Sequence, residues 1–447
     1  MSDTRPVREG EELPLEPLNA WLGEALPQLG RVTAVSQFPG GFSNLTYLLS
    51  CTHSEAVLRR PPRGVATGKA HDMPREARIL SVLELRAVPA PRAFATCEDA
   101  SVIGVPFYVM ERVKGLILRG AAPPSTFTPE LFSSLSASFV DTLVAIHGAT
   151  PSDPVIGGLG RPLGYVSRQV AGWTERYAAS RTDDVPAMEQ LAAWLAERQP
   201  SESGACLVHN DYKYDNLVLD PTQPDRIIAV LDWEMATLGD PLLDVGTALG
   251  YWVEAGDHPA FTSLGLGITA LPGNYTRAEL WARYLEKAGR AMRPVAWYHA
   301  FGLFKIAVIA QQIHARYRKG LTTDERFARL GEACGCWRRW AGRPRRVERR
   351  GEPPSHRRVG SRSSVVSRIA GATSAPPREP QAPRALARDA RAAGWLRRAP
   401  RGPRARGCEA RRKASRVALR ARVPGASSRR SWLRVESRVR HRDRRGA

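Results

Sequence analysis

Apolar residues recur along this chain at two spacings, and the change from one to the other divides it. Between residues 31 and 60 the runs RVTAVSQF, LTYLLSC and EAVLRR are short and bounded by turn residues, PGGFSN among them, which predicts three strands. PREARILSVLELR, residues 74–86, shifts to helical spacing, with Ile79, Leu80, Val82 and Leu83 on a stripe and Pro74 suited to the first turn. VPAPRAFA is extended and broken by Pro89 and Pro91. VIGVPFYVMERV predicts a strand pair that runs into a polar connector, ERVKG. From about residue 128 the spacing predicts helices over 128–147, stopped at Gly148, then over 164–180 and 184–199. A polar loop between LVH and LVLD follows, then the apolar run RIIAVLDWE, which reads as a strand. After GDPLLDVGTALGYW the pattern is helical to roughly 332. The order is a strand-rich first part, a connector and a helix-rich second part with a small β hairpin carrying the polar loop. It is α+β, without internal repeats.

Composition alters the picture at one point. The 447 residues are 43% hydrophobic, enough for one large domain or two to three smaller ones. The net charge of +22 suggests a nucleic-acid or membrane partner. However, 34 of the 66 basic residues and only 7 of the 44 acidic ones lie from Cys334 onward. The first part is therefore slightly acidic at −5, and the tail carries +27. The tail keeps no periodic pattern and has little large apolar surface to offset chain entropy, so residues 334–447 are expected to be disordered. Its arginines suit non-specific contact with nucleic acid, but Tyr and Phe are missing, so nucleic acid is not otherwise an expected partner. The N-terminus lacks the apolar core of a signal peptide. The nearest approach to a membrane span, FGLFKIAVIA, is interrupted by Lys305. No membrane partner is expected. Six cysteines without a framework, and a lone C-x-C at Cys334 and Cys336, point away from disulfides and zinc and toward the cytoplasm.

The chemistry gathers in LVHNDYKYDNLVLD. His209, Asp211 and Asn216 have the spacing H-x-D-x4-N, which kinase catalytic loops use. In that arrangement the Asp orients the attacking hydroxyl or takes its proton, and the Asn offers an oxygen to a magnesium ion. Lys213 is placed to meet a phosphate. Asp232, sixteen residues after Asn216 at the end of an apolar strand, supplies a second hard oxygen ligand.

With V-H-N-D-Y-K-Y-D-N, V-L-D-W-E and G-D-P-L-L-D-V in this order, the sequence resembles the aminoglycoside phosphotransferase and choline kinase superfamily over roughly residues 15–333. The branch it is most similar to comprises kinase domains fused to acyl-CoA dehydrogenases. The resemblance implies a bilobal protein-kinase-like fold with a strand-rich nucleotide-binding lobe at 15–112 and a helical catalytic and substrate lobe at 113–333. It implies ATP and Mg2+ as cofactors, Asp211 as the catalytic Asp, and Asn216 and Asp232 as metal ligands. The glycine turn GGFSN would lie over the phosphates with Ser43 and Asn44. Arg59 stands where the family's β-strand cation meets the α/β phosphates, Arg60 being the alternative, and Glu76 is its natural partner. Glu111 and Val113, in the connector, would offer backbone groups to adenine. Asp240 and Asp244 read as helix caps or partners of the loop, with an ordinary N-cap favoured. His147 reads as structural, and His209 as fixing the loop backbone. Tyr251, Trp252 and Trp297 read as core residues that are also candidates for a substrate pocket.

The expected activity is transfer of the ATP γ-phosphate to a hydroxyl of a small molecule. The branch resemblance suggests a hydroxyacyl-CoA or hydroxy acid; the alternatives are an aminoglycoside- or choline-type acceptor, or a nucleotide-binding pseudokinase scaffold. Lys305, His314, Arg316, Arg318 and Lys319 suit an anionic acceptor or form a solvated basic helix face.

The abrupt change near residue 333 generates a test. TDERFARLGEA is cut off in mid-pattern, and the alphabet beyond it collapses to what GC-rich codons yield out of frame. Reading the gene in its other frames after codon 333 is expected to reveal a continued amphipathic helix and a nearby stop. A chain truncated there is expected to keep its activity. Loss of activity on truncation, with no continuing frame, would mark a genuine basic tail.

Overall fold

The computed structural model describes residues 3–39, 44–62, 71–120, 123–259 and 267–320, without the side chain of Pro154. All of them lie in the first of two compact units, Met1–Gly360. Residues 40–43 of the glycine turn, Ser43 included, and everything beyond 320, including the tail, lie outside the described residues.

Five antiparallel strands build the first sheet: β1 (Val32–Gln37), β2 (Leu45–Cys51), β3 (Glu55–Arg60), β4 (Ala93–Cys97) and β5 (Phe107–Met110), in the order β1-β2-β3-β5-β4. Its two faces are covered by different helices. One is covered by α1 (Leu15–Ala25), whose Leu18 and Leu22 pack with Leu45, Tyr47, Ala56, Leu58, Phe107 and Val109. Each such leucine contributes roughly 1.5–3 kcal/mol by leaving water. The other face meets α2 (Met73–Leu85), where Val57, Tyr108 and Met110 join Met73, Ala77 and Leu80 in the larger core. Strand alternation then decides the arginines. Arg59 shares the face of Val57, toward α2, and Arg60 shares the face of Leu58, toward α1. Both are buried, so the strand has no solvent-facing side at its end. Arg60 donates to the Tyr47 hydroxyl (2.8 Å) and the Glu11 carbonyl (3.1 Å).

Two expectations are corrected here. VIGVPFYVMERV holds one strand, not a pair; residues 101–105 are turn, and the partner of β5 comes from the proline-broken stretch before it. α1 carries no side-chain cap at Pro14 and lies outside the elements read from the sequence pattern.

The second part is helical: α3 (Pro129–His147), the single turn α4 (Pro154–Gly157), α5 (Tyr165–Ser180) and α6 (Pro186–Glu197). Next come β6 (Cys206–Val208), β7 (Leu217–Leu219), β8 (Ile227–Val230) and β9 (Thr237–Gly239). These do not form one hairpin carrying the polar loop. β6 pairs with β9 and β7 with β8, so the loop passes from one two-stranded ribbon to the other. Three-residue strands are too short to show a period, which is why the pairing was not readable. The helices α7 (Pro241–Tyr251), α8 (Arg277–Lys287) and α9 (Ala296–Arg318) complete the described chain. Together these elements make the bilobal, protein-kinase-like α+β fold. Among the described residues no helix is long and apolar enough to cross a membrane.

α7 and α9 cross in close contact. Gly246 and Gly250 of α7 face Gly302 of α9, and a Cβ on Gly302 would lie 2.0 Å from the Gly246 carbonyl oxygen. Backbone, not a flexible side-chain end, is what it would strike. Gly302→Ala is therefore expected to force the helices apart and to lower stability by about 3 kcal/mol, at the upper end of overpacking costs. Denaturant midpoints check this. Gly256→Ala, where nothing lies within 4 Å, is the control.

Candidate active site

The loop after β6 turns sharply at Asn210, whose φ of 67° lies in the left-handed region. Asn tolerates that region better than most residues, and here every polar group of Asn210 is held. Its N–H donates to Asp244 Oδ1 (2.7 Å), and its carbonyl accepts from Lys305 Nζ (2.6 Å). Its side chain accepts from the Tyr165 hydroxyl (3.1 Å) and donates to the Met235 carbonyl (3.1 Å). Asp244 Oδ2 also accepts from the His209 N–H (2.8 Å) and contacts His147 Nε2 (3.1 Å), and His147 Nδ1 meets the Tyr284 hydroxyl (2.7 Å). The ordinary N-cap reading thus applies to Asp240, which accepts from the Leu242 and Leu243 N–H groups, and not to Asp244. Asp244 lies one turn inside α7 and holds the loop.

His209 is buried, and its tautomer follows from its neighbours. Nδ1 accepts from the Asp211 N–H (3.2 Å), so the ring proton is on Nε2 and points at the Leu231 carbonyl (3.0 Å). Burial lowers its pKa, against the pull of Asp244 and Asp211, so the neutral ring fits both contacts. A ring so engaged is a fixed strut.

Asp211 faces Lys213 and Asn216. Lys213 Nζ donates to Asp211 Oδ2 (2.8 Å) and lies over the Tyr251 ring (4.6 Å). Asn216 Nδ2 donates to the Asp211 carbonyl (2.9 Å) and to Oδ2 (3.0 Å), which turns its own carbonyl oxygen away from Asp211. Burial works to raise the Asp211 carboxyl, but Lys213 and the Tyr251 hydroxyl outweigh it and hold the group below its ordinary value. The Lys213 ammonium is correspondingly raised by Asp211, against burial. Asp211 is thus an ionised acceptor whose Oδ2 takes both Lys213 and Asn216.

Beyond β8, Asp232 also has a left-handed φ of 67°. The bond from Leu231 N–H to the Asn216 carbonyl (2.8 Å) continues the ribbon and sets Asp232 beside Asn216. Trp233 turns inward, and Glu234 returns to the side of Asp232. Arg59 Nη2 meets Asp232 Oδ1 (2.7 Å) and Glu234 Oε2 (2.8 Å), and Arg59 Nε lies 3.4 Å from Glu76. Glu76 is buried, not a surface residue at a helix start. It is held there because Arg75, its neighbour, ties the first turn of α2 to the Leu159 and Ala236 carbonyls. Asn44 is buried as well; it donates to Glu234 (2.8 Å) and meets His71 Nδ1 (2.8 Å). Three carboxylates thus share one guanidinium. Burial together with the Asp232 charge pushes Glu234 up to about 8.

This excess of negative charge is what a divalent cation would offset. The oxygen donors around it are Asn216, Asp232 and Glu234. Among the described residues no three His, Cys, Asp or Glu side chains form a ready cage. Magnesium usually keeps water and takes one or two carboxylates together with phosphate oxygens, a number that Asp232 and Glu234 match. The geometry therefore brings together Asp211, Lys213, Asn216, Asp232, Arg59, Glu76 and Asn44.

Glu111 and Val113 lie apart, in the connector. The Glu111 N–H is spent on the Arg92 carbonyl (2.8 Å). The Glu111 carbonyl and Val113 N–H take no hydrogen bond among the described residues. Lys305 and His314 are buried, so a solvated basic face does not describe them; Arg316, Arg318 and Lys319 are exposed. Glu234 was missed as a site residue, and Lys305, read as a cation for an anionic acceptor, instead holds the Asn210 carbonyl. D-W-E could have revealed the first, since residues two apart in extended chain share a side. No local signal reveals the second. A small pocket beside Lys213 is lined by Tyr214, Asp215, Tyr251, Trp252, Ile268 and Thr269.

Residues 34–298 match the phosphotransferase enzyme family. Acyl-CoA dehydrogenase family member 11 of Mus musculus is 35% identical over 340 residues, which cover 72% of this chain and 42% of that protein. The chain thus spans less than half the length of this curated relative. A crystal structure from Ralstonia eutropha JMP134, described provisionally as an aminoglycoside phosphotransferase, is 31% identical. It covers 76% of this chain and 100% of its own, with a TM-score of 0.64. Spectinomycin phosphotransferase, solved with ADP and spectinomycin, is 12% identical with a TM-score of 0.50, covering 76% and 99%, a likeness of fold.

The crowded carboxylates generate a pH test. Glu234 is raised in the folded chain above its ordinary value near 4.5, so between about 4.5 and 8 the folded state binds the extra proton. Stability is then greatest below that window and falls as pH rises through it. Glu234→Gln is expected to flatten this fall, and magnesium with a nucleotide is expected to oppose it in the unmodified protein. Thermal unfolding from pH 5 to 9 checks both; an unchanged slope in Glu234→Gln would show that the strain lies elsewhere.

Proposed function

This chain belongs to the phosphotransferase enzyme family, and we propose that it is a nucleotide-dependent phosphotransferase that transfers the γ-phosphate of ATP to a hydroxyl of a hydroxyacyl-CoA or related hydroxy acid. The observation that carries the reading is the meeting of an ionised, restrained Asp211 with the oxygen donors Asn216 and Asp232 and the Arg59–Glu76 pair.

In this reading Asp211 receives the acceptor hydroxyl, orients it in line with the phosphate and takes its proton as the new P–O bond forms and the bond to the ADP oxygen breaks, ADP leaving with that electron pair. Lys213 keeps the carboxylate ionised before the acceptor arrives and sits close enough to meet the transferring phosphate. Asn216 and Asp232 would hold magnesium, with Glu234 beside them. Magnesium, when bound, neutralises charge building on the phosphate oxygens. Arg59, backed by Glu76, serves the α/β phosphates, which compete with Asp232 and Glu234 for its guanidinium. Ser43 and Asn44 belong to the turn over the phosphates, and the Glu111 carbonyl and Val113 N–H to the adenine edge. Nucleotide binding is assigned to residues 15–112, and catalysis with acceptor binding to 113–333.

The acceptor class is supported by two observations. Curated relatives matching this chain carry the name of an acyl-CoA dehydrogenase family. The pocket next to Lys213 is largely aromatic and aliphatic, with Asp215 its one carboxylate. It suits a hydroxyl on a hydrocarbon chain better than a polycationic sugar.

ATP consumption against a panel of hydroxyacyl-CoA thioesters, hydroxy acids, choline and aminoglycosides tests this. Stoichiometric phosphorylation of a hydroxyacyl compound is expected, with Asp211→Asn slowed by at least ~100-fold. Preference for kanamycin or choline would replace the acceptor class. Near-normal turnover by Asp211→Asn would remove its role.

A further inference from the structure

We propose that Lys305 is a positioning residue for phosphoryl transfer: by donating to the Asn210 carbonyl from α9, it fixes the rotation of the peptide that carries Asp211. The inference rests on the reading of Asp211 given above.

The peptide between residues 210 and 211 swings most easily by opposite changes in the torsions on its two sides. Only its carbonyl and its N–H can resist such a swing. The N–H is held by His209 Nδ1 at 3.2 Å. That ring is a short-range strut, two residues away, held in turn by the Leu231 carbonyl. The carbonyl is held at 2.6 Å by Lys305, 95 residues further along the chain. Lys305 stands on a 23-residue helix that crosses α7 at the Gly246–Gly302 contact, so this anchor is independent of the loop. The peptide follows a residue in the left-handed region, from which relaxation is downhill unless held.

A lysine is an expensive choice for this position. Residues 297–308 of α9 are buried almost without interruption, and Lys305 is 1% exposed. Among the described residues no carboxylate lies within salt-bridge distance of it; Trp173 packs against it, with the ring centre 5.5 Å from Nζ. Burial pushes its ammonium down to about 8, with Asp244 and Asp211 pulling it up and Lys213 and Arg176 adding to the fall. An apolar side chain would fold more easily here. What Lys305 supplies in return is a charge-assisted hydrogen bond to one carbonyl, at the residue before Asp211.

The test separates positioning from packing. Lys305→Met and Lys305→Arg are compared with the unmodified chain by turnover of Mg·ATP with its acceptor, by denaturation midpoint at neutral pH, and by amide hydrogen exchange over residues 207–213. For Lys305→Met we expect kcat to fall on the order of 10- to 100-fold, with KM for ATP within about twofold. Its midpoint should be unchanged or higher, and exchange in the loop faster by about tenfold or more. Lys305→Arg, which keeps the charged donor, should recover a substantial part of kcat. If Lys305→Met turns over within about twofold and its loop exchanges as before, the inference is overturned. It is overturned equally if midpoint and kcat fall together in both variants with loop exchange unaltered. If the unmodified chain shows no phosphoryl transfer, the proposed function fails, and hydrogen exchange alone decides whether Lys305 holds the loop.

Discussion

The N–H groups of His209 and Asn210 point at the same carboxylate, that of Asp244, and this convergence bends the chain so that Asp211 projects from it. Two adjacent N–H groups can meet one carboxylate only if the backbone curls around it, which is the left-handed turn observed at Asn210. Asp244 can serve because α7 starts where Asp240 caps it and because His147 secures its second oxygen. Burial alone would drive this carboxyl toward protonation, but the His147 contact and the His209 N–H bond hold it below its ordinary value. The curl, the projection of Asp211 and the Asn216 bonds to it all follow from that ionised group.

Electrostatics across the site works in the opposite sense. Around Asp244 the charge is satisfied; around Arg59 it is not. Glu76, Asp232 and Glu234 crowd one guanidinium, and Glu234 is held near-neutral as a result. A cluster with more carboxylates than its one guanidinium neutralises would favour a bound cation, since only differential affinity shifts an equilibrium.

Much of this was legible because it is written locally. The strands β2 and β3, the helices α2, α3 and α5, and the H-x-D-x4-N spacing each declare themselves within a few residues, since side-chain periodicity and loop chemistry are short-range properties. What was missed depends on partners distant in sequence. Asp244 looks like any first-turn aspartate until the N–H groups 34 and 35 residues before it are seen to meet it. Arg60 stood as the alternative to Arg59 because the sequence does not say that α1 covers the second face of the sheet. The apolar run before β5 read as a strand because turns at residues 101–105 retain Val102 and Ile103, and Ile103 is buried in its own right. Lys305 read as a break in an apolar run and as one of several cations, because its partner, the Asn210 carbonyl, lies 95 residues away.

The spread of the site along the chain has a consequence for how it is made. Arg59 waits for Asp232, and Asn210 waits for Lys305, so the earliest and latest described parts must both be present before the loop takes its shape. Contacts of such long sequence separation form late, after loop closure has been accomplished elsewhere. During synthesis the strand-rich part can gather its own local core around α1, but the loop around Asp211 emerges from the ribosome well before α9 does. Until that last helix docks, the nascent chain holds its carboxylates in an unshaped segment. The order of translation thus withholds the assembled site from a partly made protein.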